Sequence, residues 1–152
     1  MTTRAPASTS AAPIHTWPYR VAGFASIQFM VLTALAMLLY PGGTTVNRST
    51  HGYSFLTNFF SDLGMTVAHN RAPNTLSSLL FVVALVSIGA GLTAIMVVLP
   101  QLYRHRLDLR VLSLAGSTIG VVSGLAYIGI ALMPANLHPG WHNRFVQLAF
   151  RS

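Results

Sequence analysis

Asp62, set in the run Phe59-Phe60-Ser61-Asp62-Leu63-Gly64, is one of only two acidic residues in a chain of 152. A carboxylate with Phe59, Phe60 and Leu63 for neighbours is costly to bury unless a partner meets it or it takes up a proton. That cost makes Asp62 the candidate catalytic residue. His138 and His142 stand four apart, a spacing that on a continuous helix puts both imidazoles on one face, as a divalent-metal pair requires. With Asp62 as a third ligand, or as an acceptor orienting one of the rings, the set Asp62, His138 and His142 is a candidate zinc site that activates a water. Pro139 argues the other way. It biases His138 toward extended backbone, so that the helix begins at Pro139, His138 sits ahead of it as a cap, and the two rings need not point together. Asp62 has a structural reading too, as a local cap or as an ion-pair partner of Arg71 or Arg144 holding its loop onto the helix after Pro139.

The elements that must position these side chains are apolar. The sequence is 53% hydrophobic and 7% charged, far below the usual share of about 25% charged residues, and its mean hydropathy is positive. Net charge is +7, carried by nine arginines and no lysines. These are scattered between apolar runs rather than gathered on one face with interleaved aromatics, which sets nucleic-acid binding aside. No cysteine is present, so disulfides, thiolate zinc sites and cysteine nucleophiles are excluded. No G-x-S-x-G, phosphate-cradling loop or Walker lysine occurs.

Residues 1–16, rich in Ser, Thr, Ala and Pro, read as a disordered cytoplasmic tail, and 17–152 as one transmembrane helical domain. Trp17, Tyr19 and Arg20 mark a membrane surface. The first span is predicted over 21–40, long enough to cross a hydrocarbon core of roughly 30 Å. A signal peptide would place its small-x-small triplet after the apolar run, whereas Ala34-Leu35-Ala36 lies inside it. Pro41-Gly42-Gly43 stops this helix. In the connection that follows, 53–63 is too apolar for a solvated loop and too short to span, so it is expected at the interface or dipping into the bundle as a short helix. Pro73 and Asn74 end the connection, with Asn74 the expected N-cap of the next helix. The second span is predicted over 76–99 and closed by Pro100, and the third over 111–133, separated by a turn holding Arg104, His105, Arg106, Asp108 and Arg110. Gly116, Gly120 and Gly124 fall on one face of the third span, a strip suited to close helix approach, while Gly129 reads as incidental. Residues 139–150 look like the start of a fourth span.

Counting arginines near the spans puts the turn after span two and the N-terminus in the cytoplasm of a cell (plasma) membrane protein. Asp62, His51, His69, His138 and His142 then share the opposite face.

Tyr53 through Leu92, with the Ser61-Asp62-Leu63-Gly64 and Ala72-Pro73-Asn74 motifs and Gly89-Ala90-Gly91, together with Gly129 to Pro134 followed by His138 and His142, resembles the bacterial and archaeal membrane family grouped as domain of unknown function 998. The likeness covers about two-thirds of the chain. It implies a bundle of about six spans, of which these would be the first three and the beginning of the fourth, and distant kinship to Frag and DRAM type membrane proteins. The acidic residue that often follows the proline in such segments is replaced here by Ala135-Asn136. A weaker similarity is to the alkaline ceramidase and progestin-receptor-like superfamily, where Ser, Asp and His side chains hold zinc at the membrane edge, and onto which Ser61, Asp62, His138 and His142 map.

The expected fold is thus all-α, a polytopic transmembrane helical bundle. Its expected role is a non-enzymatic integral membrane protein that binds lipid or a partner, with no cofactor. The alternatives are a zinc-dependent hydrolase of lipid amide or ester bonds using Asp62, His138 and His142, and a small-solute permease component. Expected partners are the lipid bilayer and either a second copy of the chain or further C-terminal spans, which would cover faces such as Gly116-Gly120-Gly124.

Overall fold

A computed structural model describes residues 16–151; the expected tail lies outside the described residues except for Thr16. Four α-helices follow one another, α1 (Trp17–Leu39), α2 (Thr75–Leu102), α3 (Leu107–Leu132) and α4 (Pro139–Arg151), with one five-residue 3₁₀ turn, Phe60–Gly64, in the connection between α1 and α2. Among the described residues the only β pairing is two isolated bridges in that connection, Gly42 with His51 and Val67 with Pro73. Helices α1, α2 and α3 are each long and apolar enough to cross a membrane, and the chain is an all-α bundle as the hydropathy pattern requires.

The helix ends depart from expectation for local reasons. Helix α1 begins four residues early, at Trp17, because Pro18 lies in the first turn, where a missing N–H costs nothing and the fixed φ suits the helix. Helix α2 is not closed by Pro100 but runs on to Leu102; a proline so near the end removes one hydrogen bond and leaves little helix beyond it to bend. Helix α3 begins at Leu107 rather than 111, with Asp108 in its first turn, where a carboxylate meets the positive end of the helix dipole. Arg106 Nη2 stands 3.0 Å from Asp108 Oδ2 across that turn.

Helix α2 is the centre of the bundle, packed on α1 along one side and on α3 along the other, and α4 runs back along α3. Small residues set the closeness. A Cβ at Gly91 would meet Ala25 of α1; one at Gly124 would meet Thr93 and the carbonyl of Gly89 on α2; one at Gly120 would meet Met96. The glycine strip of α3 therefore faces α2 within the chain, and only Gly116 looks into open space. It does not wait for a missing helix at Gly120 or Gly124. Gly129 is not incidental either, since the Phe145 ring of α4 occupies the place where its side chain would be. Ser123 Oγ donates to the carbonyl of Ala149, 2.6 Å away, and fixes the far end of α4 to α3.

The core is concentrated at the end of the bundle that carries the long connection. There Ala36 and Tyr40 of the α1 end, Leu63, and Phe81 and Leu85 of α2 form one buried cluster with Ala126 and Ile130 of α3. Outward-facing residues such as Phe24, Met30, Leu38, Leu112 and Leu125 are largely exposed, which is the expected face for hydrocarbon rather than water.

Candidate functional site

The connection between α1 and α2 is folded around Asp62, which is 4% exposed. Asp62 is the third residue of the 3₁₀ turn, and its Oδ2 reaches back to accept the Phe59 N–H at 3.0 Å, half of a capping box. The same oxygen accepts from Asn58 Nδ2 at 2.9 Å. Oδ1 lies 3.2 Å from Nε2 of His69, within ion-pair distance although not aligned for a linear hydrogen bond. Each partner carries the tie further. Asn58 Nδ2 also donates to the Gly43 carbonyl at 2.9 Å, and its Oδ1 accepts from the Ser54 N–H at 3.0 Å. The His69 N–H donates to the Tyr40 hydroxyl at 3.4 Å, and Asn70 Nδ2 donates to the Pro41 carbonyl at 2.9 Å. One carboxylate thus gathers the exit of α1, the middle of the loop and the approach to α2. The loop can close this tightly because Gly43, at φ +81, lies against the backbone of His69 and Asn70, where any side chain would clash.

Asn74 begins α2 but does not cap it with its side chain. The amide turns back instead and donates to the carbonyls of Leu63 at 3.0 Å and Met65 at 2.8 Å. Ser77 Oγ donates to the Leu63 carbonyl and Ser78 Oγ to that of Gly64, both at 3.3 Å. The first turn of α2 therefore satisfies the open carbonyls at the end of the 3₁₀ turn, which secondary structure leaves without partners. The polar run Asn74, Ser77, Ser78, otherwise odd at the mouth of an apolar helix, is the signal in the sequence that this contact exists.

The expected ion pair of Asp62 with Arg71 or Arg144 does not form. Arg71 is exposed at a positive φ of 69°, and Arg144 stacks over the Trp141 ring at 4.9 Å. The partner is His69, placed by the turn that the Val67 to Pro73 bridge encloses. Tyr53 packs edge-on against Tyr40 with ring centroids 5.9 Å apart; burial first, and the Asp62 charge second, push its phenol above its ordinary 10.0.

The two histidines near α4 are separated in environment. His138 is exposed just ahead of Pro139, where α4 begins as the proline predicts, and its carbonyl accepts the His142 N–H at 2.9 Å. His142 is buried, with Nδ1 2.8 Å from the Met133 carbonyl. A carbonyl only accepts, so the neutral ring carries its proton on Nδ1, and Nε2 presents a lone pair in a buried position with no partner. His51 is exposed at its bridge to Gly42. Thr66 and Asn136 join the α1–α2 connection to the turn before α4 through two hydrogen bonds, of 3.1 and 2.8 Å, so Asp62, His69, His138 and His142 do share one end of the bundle. Among the described residues no three His, Asp or Glu side chains converge as a metal-ligand group.

Comparison with family models, with curated proteins and with solved structures returns no match.

Proposed function

We propose that this integral membrane protein works by binding lipid or a protein partner through its helical bundle, without catalysing a reaction. The three apolar helices fit a membrane-embedded protein. The observation that supports the non-catalytic reading is the state of Asp62. Both of its oxygens face partners of its own loop, so the one buried carboxylate among the described residues is engaged in holding the connection closed. In this reading the chain sits in the plasma membrane with its N-terminus in the cytoplasm, and either further spans, as the resemblance to domain of unknown function 998 implies, or a second copy complete the bundle.

His142 supports the second reading, the zinc-dependent hydrolase. A ring held by a backbone carbonyl through one nitrogen, with the other nitrogen free, is the usual arrangement of a metal-binding histidine. Metal analysis of the purified full-length protein separates the two. The binding reading expects no stoichiometric zinc and no effect of chelator on thermal stability in detergent. Stoichiometric zinc that is lost in both His142→Ala and Asp62→Asn would replace it with the hydrolase.

A further inference from the structure

The α1–α2 connection does not simply cover the end of the bundle. The ring of Phe60 lies between two rings that belong to the interior of the spans, with centroids 6.0 Å from Phe29 on α1 and 5.1 Å from Phe81 on α2. Phe29 is roughly ten residues, about 15 Å, below the end of α1 at Leu39, and Phe81 roughly six residues, about 9 Å, below the start of α2 at Thr75. The 3₁₀ turn therefore hangs into the groove between the two helices, with Gly64 pressed on the Phe81 ring. On its outer side the segment has no charged residue between His51 and Asp62, and Phe55, Leu56 and Phe59 are 80%, 94% and 63% exposed. Leu38 and Leu39 at the end of α1 and Leu76 and Leu79 at the start of α2 are exposed as well. Several polar groups of the same segment turn inward: the Ser54 and Phe59 N–H groups onto Asn58 and Asp62, and the carbonyls of Leu63, Gly64 and Met65 onto Asn74, Ser77 and Ser78. Irregular backbone at membrane depth is tolerated where it is covered by protein, as the 3₁₀ turn is on this side.

We propose that residues 55–64 form a re-entrant wedge and that Phe55, Leu56 and Phe59 lie among the acyl chains of the leaflet on that side. The occupant of this apolar surface is lipid because Phe60 packs against Phe29 and Phe81 of the two spans, which sets its exposed apolar neighbours at the depth where α1 and α2 meet hydrocarbon. The proposal rests on the reading of α1 to α3 as membrane spans, and the experiment separates the two.

The protein has no cysteine, so single cysteines report without background. Phe55→Cys, Leu56→Cys and Phe59→Cys, each carrying an environment-sensitive fluorophore, are reconstituted in phosphatidylcholine vesicles and quenched either by nitroxides on the acyl chains or by aqueous iodide. Leu38→Cys, on the exposed face of α1, is the in-span reference and Arg48→Cys the aqueous one. The wedge predicts strong loss of emission to acyl-chain nitroxide and little to iodide at all three wedge positions, as at Leu38→Cys. Iodide quenching at the wedge positions with Leu38→Cys still quenched by nitroxide overturns the wedge and leaves the spans standing. Protection from both quenchers at the wedge positions means that protein, either a second copy or a partner, covers the surface, and also overturns it. Iodide quenching at Leu38→Cys removes the membrane reading itself.

Discussion

Replacing Asp62 with alanine leaves the Asn58 amide and the Phe59 N–H aimed at an empty acceptor position inside the protein. A buried donor deprived of its acceptor costs about 1–3 kcal/mol, so Asp62→Ala is expected to lower the unfolding temperature in detergent clearly, with Asp62→Asn, which keeps shape and one acceptor oxygen, falling between it and the native protein. Equal unfolding temperatures for all three would show that the carboxylate does not hold the loop. Tyr53 adds a pH dependence of determinable sign. Its folded phenol is held protonated above the ordinary 10.0 by burial and by the Asp62 charge, so the stabilisation it provides is complete below that value and is lost as pH rises from 10.0 through the raised pKa. Thermal unfolding followed across pH 10.0 should show this alkaline loss, and Tyr53→Phe should reduce it. The burial and need for a partner at Asp62 were legible because aromatic and aliphatic neighbours surround a rare charge. The partner was not: His69 reaches the carboxylate through a bridge and a turn, and no helical or strand period relates the two positions.

At the scale of helices, the three spans could be read from composition, because nothing but length and apolarity is needed to define them. Their ends could not be placed to the residue, since Pro18, Pro100 and Asp108 act according to their place in a turn. Nor could the glycines be sorted by register alone. Gly116, Gly120 and Gly124 are equivalent by spacing, yet Gly116 faces open space while Gly124 lies against Thr93 and the Gly89 carbonyl. Opposite effects of one substitution follow. Gly116→Ala should stabilise by about 0.5–1 kcal/mol through helix propensity. Gly124→Ala should destabilise by about 1–3 kcal/mol, because the new methyl meets backbone that cannot yield. Unfolding in detergent measures both, and a stabilising Gly124→Ala would mean that α2 and α3 are not in contact there.

For the molecule as a whole, the two ends of the bundle differ in kind. One is closed by the Asp62 loop and by the Thr66 to Asn136 contact that joins it to the turn before α4. The other is the turn at 103–106 with Arg104, Arg106 and Arg110 all exposed. Transfer of arginine across a bilayer is unfavourable during insertion, so the arginine-bearing turn is expected to remain in the cytoplasm and the closed end to face outward. In the cysteine-free background, Arg48→Cys should then react with a membrane-impermeant maleimide in intact cells, and His105→Cys only after the cells are opened. The opposite pattern would invert the protein without altering a single contact in the bundle. It would put the wedge in the cytoplasmic leaflet, and the acyl chains that meet Phe55, Leu56 and Phe59 would then be those of the inner leaflet.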